Sequence, residues 1–134
     1  MKKDIEQRPV EDVAIAIVPG VAPGDELWDC YLINLRPESL RSVLVSSRGY
    51  GERDGEPVTT TALRYFYEEI GGEYAARIEP IQRSLFELTN EFWVSFRLAD
   101  GYTYDKKYVF VRGSIREELF TAVPLVGKRG VLHR

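Results

Sequence analysis

Between Glu91 and Val111, apolar and polar residues alternate on both sides of one short turn, Ala99-Asp100-Gly101. Phe92, Val94, Phe96 and Leu98 interleave with Glu91, Trp93, Ser95 and Arg97. A period of two belongs to a strand with one buried face, so the segment reads as an antiparallel hairpin. The same pattern sets its register. A two-residue loop would pair Phe96 with Asp105 and Val94 with Lys107, placing charges on the apolar face. A three-residue loop, with Gly101 left-handed at a bulge, instead pairs Leu98 with Tyr102, Phe96 with Tyr104 and Phe92 with Tyr108. Lys106 then falls opposite Val94, where its stem can pack and its amine reach the edge. The other face collects Trp93, Ser95, Arg97, Thr103, Asp105 and Lys107. A slip of one residue would reverse every side chain, which is why the pattern selects the bulged turn.

The remainder of the chain reads as shorter strands between turn signals. Val13–Val18 is apolar, mostly β-branched, and stops at Pro19-Gly20-Val21-Ala22-Pro23-Gly24, which no helix would cross. Leu27–Leu35 carries apolar residues on both faces, as in a strand with little solvent contact. Ser42–Ser47 follows, then a polar glycine loop, Arg48 to Glu56. Val58–Tyr67 holds three consecutive threonines and three consecutive aromatics, both strand-favouring types. Tyr74–Ile81 resumes after Gly71-Gly72, with Pro80 placing its end at an edge or a bend. Ser84-Leu85-Phe86-Glu87 and Ser114-Ile115-Arg116-Glu117 have the capping-box pattern and predict one or two short helical turns, Asn90 stopping the first. About seven strands at this spacing predict an all-β fold with minor helix, an antiparallel β-sandwich; a small half-open barrel is the alternative. No βαβ alternation supports a Rossmann-like fold.

The 134 residues amount to one domain. The division expected is a flexible N-terminal arm over 1–10, the sandwich over 11–126 and a basic tail over 127–134. Three cations and two glycines among the last eight residues read as a flexible end, and His133 as a solvated tail residue. The net charge of −3 argues against broad non-specific grip on nucleic acid or acidic membranes. The longest apolar run has six residues, far short of the ~20 of a membrane span, and no secretory pattern opens the chain. A cytoplasmic protein without membrane contact is the expectation.

Few chemistries have the residues they need. One Cys and one His make no zinc set, and neither HExxH nor paired CxxC occurs. A Ser/His/Asp or Cys/His set would require His133 to fold back into the domain. Cys30, mid-strand between Asp29 and Tyr31, reads as a small buried hydrophobe rather than a reactive thiol. The loop Arg48 to Gly55 contains GxG but neither GxGxxG nor GK[ST]. It reads as a hairpin loop whose Arg48, Tyr50 and Arg53 could form a contact tip. Glu68 and Glu69 are adjacent, so in a strand they point to opposite faces and suit solvation rather than paired-carboxylate chemistry. No catalytic residue, metal ligand or cofactor is assigned. Trp93 stands out, because the hairpin register puts it on the polar face beside Arg97 and Lys107, where it could stack a base, a sugar or a partner side chain.

The run Val13-Ala14-Ile15-Ala16-Ile17-Val18-Pro19, then Asp29-Cys30-Tyr31-Leu32-Ile33-Asn34, and later Ser114-Ile115-Arg116-Glu117-Glu118-Leu119-Phe120 leading into Ala122-Val123-Pro124-Leu125, resembles a known domain. It is the β-sandwich found beside a C-terminal Smr (small MutS-related) domain in bacterial proteins of unassigned function. The similarity spans residues 11–126 and rests on hydrophobic strand patterns. It implies an accessory or interaction module; no Smr domain follows in this sequence, so it implies no nuclease activity, and it supplies no site residues. The expected function is a non-enzymatic protein-interaction or assembly module, with a protein partner or a second copy pairing through edge strands. A nucleic-acid-binding accessory domain using Trp93, Arg97, Lys107 and the basic tail is the alternative, and a carbohydrate-binding sandwich the third. The contact residues singled out are Trp93, Arg97, Lys107, Tyr50 and Arg53.

Overall fold

The computed structural model describes residues 9–22 and 24–134. Most of the expected N-terminal arm therefore lies outside the described residues. The rest is a sandwich of two five-stranded antiparallel sheets. The first contains β1 (Val13–Val18), β2 (Leu27–Asn34), β6 (Tyr74–Gln82), β9 (Thr121–Val123) and β10 (Lys128–His133), in the order β6-β2-β1-β10-β9. The second contains β3 (Leu40–Arg53), β4 (Glu56–Thr59), β5 (Leu63–Ile70), β7 (Thr89–Arg97) and β8 (Thr103–Phe110). Here β7 separates β3 from β8, while β4 and β5 share the other side of the long strand β3.

The β7–β8 hairpin has the expected register. Phe92 faces Tyr108, Val94 faces Lys106 and Phe96 faces Tyr104. Gly101 has φ of 84°, the left-handed geometry that the three-residue loop requires. Phe96 stacks on Tyr104 with ring centroids 5.6 Å apart, and the Lys106 amine lies 5.2 Å from the Tyr108 ring centre. The core between the sheets joins Ile15, Ile17, Leu32 and Val131 to Val43, Val45, Phe92, Val94, Phe96 and Phe110. Tyr108 crosses this core, and its hydroxyl donates to the Val13 carbonyl at 2.6 Å.

Ten strands appear among the described residues, where the turn signals predict about seven, and the differences have physical causes. The glycine loop is largely strand. β3 runs on through Gly49 and Gly51 to Arg53, and only Asp54-Gly55 turns, both with positive φ. Glycine suits that path because a Cβ on Gly49 would press on the Asn90 side chain and one on Gly51 on Leu88. The single strand expected over Val58–Tyr67 is broken at residues 60–62. There the Thr60 hydroxyl accepts from Gly49 N–H at 2.8 Å, while Thr60 N–H donates to the Gly49 carbonyl.

The expected basic tail is a correction. Lys128–His133 is β10, an interior strand between β1 and β9. His133 is half-buried, not solvated: it faces Ile15, and its ring centre lies 4.2 Å from that of Phe110. Gly130 is there for close approach rather than flexibility, since a Cβ would stand 2.4 Å from the Ile17 carbonyl oxygen. Both helical turns occur, as 3-10 turns at Arg83–Glu87 and Glu117–Leu119, but neither uses its serine as a cap. Ser114 donates instead to the Val111 carbonyl. Asn90 does close the first turn, its side-chain amide donating to the Leu85 and Leu88 carbonyls at 2.8 and 3.1 Å.

Candidate functional site

The second sheet presents its outer face as four rows of cross-strand neighbours. Pairing of β5, β3, β7 and β8 aligns Arg64, Ser46, Trp93 and Lys107 in one row. The next row is Phe66, Leu44, Ser95 and Asp105. Arg48, Glu91 and Val109 lie on the other side of the tryptophan row, and Arg41, Arg97 and Thr103 close the far end. Three large apolar side chains of adjacent rows thus stand in water: Phe66 is 62% exposed, Trp93 46% and Leu44 40%. Clustered apolar exposure of this kind marks interaction surfaces, whereas single exposed residues do not.

The predicted contact residues divide. Trp93 and Lys107 are direct cross-strand partners. Arg97 shares their face but stands beyond Ser95, about 13 Å along the strand from Trp93 at the usual rise. Tyr50 lies on the outer face of β3 at its opposite end, with the Arg48 guanidinium 5.4 Å from its ring centre. Arg53 pairs with Glu56 at the hairpin tip, about 23 Å along β3 from Ser46. Tyr50 and Arg53 therefore do not join Trp93 in one site.

Sequence reasoning missed Leu44, Phe66 and Arg64, although two signals were present. Val43-Leu44-Val45 is apolar at three successive positions, so one of the three has to face outwards. Tyr65-Phe66-Tyr67 is aromatic at three successive positions, so the middle ring must oppose its neighbours. The cations around the patch are partly engaged. Arg48 Nε donates to Glu91 Oε2 at 3.0 Å, and Lys107 Nζ lies 3.6 Å from Glu91 Oε1. Glu91 thus neutralises part of the charge beside Trp93.

A cavity opens between the sheets, where β5 and β6 form adjacent edges. It offers about 70 Å³ to the centres of water-sized molecules, and its walls include Cys30, Tyr65, Ile81, Leu85 and Phe92. That is about half the volume of a cavity known to admit benzene, so it suits waters or the tip of one side chain. The Tyr65 hydroxyl donates to Glu79 across the seam. Burial, with a smaller contribution from the Asp29 carboxylate, pushes the Cys30 thiol well up, so the wall holds a thiol rather than a thiolate at neutral pH. Among the described residues no cluster of three or more His, Cys, Asp or Glu side chains is placed to hold a metal ion. Nor is any helix among them long and apolar enough to cross a membrane. No protein-family model and no curated protein matches the chain.

Proposed function

We propose that the chain is a non-enzymatic protein-interaction module that docks a partner on the outer face of its second sheet. The observation that carries this reading is the exposed patch Phe66–Leu44–Trp93, with arginines around it. Aromatic residues and Arg are what protein interfaces enrich, and the buried centre of an interface is its most apolar part. The likeness of residues 11–126 to a sandwich that accompanies another domain fits an accessory role of this kind. The partner expected is a protein with an apolar centre and an acidic rim, met in the cytoplasm.

The test is affinity capture with immobilised wild type, the double variant Leu44→Asp/Trp93→Asp, and Arg53→Ala. The first and third are expected to retain one common set of proteins, which the double variant loses. The same set on all three removes the face from the reading.

One observation favours a second reading, single-stranded nucleic acid. Arg64 and Lys107 lie at the two ends of the row that holds Trp93, as a stacking platform with backbone contacts would require. It predicts quenching of tryptophan fluorescence by short oligonucleotides, weakening steeply with salt. Unchanged oligonucleotide affinity in Trp93→Ala would count against stacking.

A further inference from the structure

The sheets leave several strand edges, and most are blunted. β9 has three residues, β4 has four and contains Pro57, β6 contains Pro80 next to Glu79, and β8 carries Asp105, Lys106 and Lys107 in succession. Short length, proline and lysine are the usual protections of an edge against pairing with another chain. β5 has none of them. It runs for eight residues, Leu-Arg-Tyr-Phe-Tyr-Glu-Glu-Ile, and among the described strands it pairs with β3 alone. Arg64 and Phe66 stand on the outer face opposite Ser46 and Leu44, Glu68 is exposed two residues further on, and neither Arg64 nor Glu68 has an ion pair among the described residues.

We infer that β5 is the edge through which a second copy of this chain adds, antiparallel, to make one continuous sheet across the pair. The inference rests on the reading of the second sheet as a docking element, and names one occupant for its edge. Symmetry narrows the register. A two-fold axis that pairs a strand antiparallel with itself stands perpendicular to the sheet, so outer faces meet outer faces. An outward residue must then oppose an outward residue. Centring the axis on Phe66 sets Phe66 against itself, Tyr65 against Tyr67, and Arg64 against Glu68, each of the last two pairings occurring twice. Moving the axis by one residue, to Tyr65 or Tyr67, sets Arg64 against Phe66 or Phe66 against Glu68 and breaks both charge pairs. The strand is thus complementary to itself in one register. In that register the exposed Phe66 rings meet at the centre, and the two Leu44–Trp93 patches lie on one side of a doubled sheet.

Charge reversal tests the register, because both positions are exposed and distant from the core. Sedimentation equilibrium of the wild type is expected to show a reversible dimer. Arg64→Glu sets two carboxylates against two, and Glu68→Arg sets two guanidiniums against two. Each change is expected to weaken the dimer about tenfold or more, with circular dichroism unchanged. Mixing the two variants restores both opposite-charge pairs, so a heterodimer about as tight as the wild-type dimer is expected. No misfolded or indirectly weakened variant would be rescued by mixing. A wild type that stays monomeric at millimolar concentration overturns the inference, and so does a mixture no tighter than its separate components. Capture of other proteins through Leu44 and Trp93 is read separately. If capture persists while the wild type is monomeric, the docking face stands and the second copy alone is lost.

Discussion

The two sheets treat their outer faces differently. In the first sheet, Ala14, Ala16 and Val18 of β1 point away from the main core, yet they are as fully buried as Val13, Ile15 and Ile17 on its inner side. Their neighbours explain it. Ala16 lies between Tyr31 of β2 and Leu132 of β10, and these larger side chains pack with the alanines, Ile33 and Val123 in a second apolar cluster. In the second sheet the inner positions of β7 are buried, while Trp93 and Arg97 between them remain in solvent. Around β1 the first sheet is closed on both sides by small residues under large ones. The second keeps large apolar residues open to water, and so is the sheet with a surface left to offer.

The strongest test of that contrast is removal of the strand that completes the closed sheet. Deleting residues 128–134 takes away the β10 partner of β1 and opens both apolar clusters. The expected result is loss of cooperative unfolding, followed by circular dichroism in urea; a truncated chain that melts like the full one would mean that β10 is peripheral. Next in size is a comparison within β7. Phe92→Ala should cost about 3–5 kcal/mol, because its ring packs edge-on against Phe110 at 5.7 Å inside the core. Trp93→Ala, one residue on but exposed, should change stability by only about 0.5 kcal/mol. Similar losses for the two would show that something covers the outer face.

Gly130→Ala is expected to lower stability by about 1–3 kcal/mol through forced displacement of the β1 backbone at Ile17. A neutral result would show that β10 sits more loosely than its pairing indicates. The smallest effect is that of His133. Burial lowers its pKa below the ordinary 6.5, so the folded state favours the neutral ring. Its contribution to stability is therefore complete above pH 6.5 and is lost as pH falls through the lowered folded value. His133→Leu should flatten the stability profile below pH 6.5 and leave its slope above that point unchanged.

The legible parts of this fold were those where local pattern and tertiary burial coincide. The β7–β8 register could be read because each apolar residue on one strand needs an apolar or amphipathic partner across it, and only one loop length supplies them. The strand expected over Leu27–Leu35 was legible for the same reason, and β2 is covered on both faces from Cys30 to Asn34. The candidate site was half legible. Trp93 and Lys107 fell on the outer face because the hairpin register fixed them there, but Leu44, Phe66 and Arg64 join them only through pairings between strands distant in sequence. Arg53 does sit at a hairpin tip, but Tyr50 lies within β3, because Gly49 and Gly51 continue the strand close to Asn90 and Leu88 and only Asp54-Gly55 turns.

The sequence by itself determined the strand-forming character of the chain, the hairpin with its bulged turn, and the scarcity of Cys and His for metal or nucleophilic chemistry. These depend on alternation, turn chemistry and residue inventory, all local quantities. Only the tertiary structure decided that the last six-residue strand belongs inside the first sheet, and that Phe66, Leu44 and Trp93 share one exposed face. Lys128–His133 is short, basic and glycine-containing, and nothing local marks it as a strand. Its backbone finds partners only when β1 and β9 are already in place on either side, and its valine finds a core only when the second sheet lies across from it.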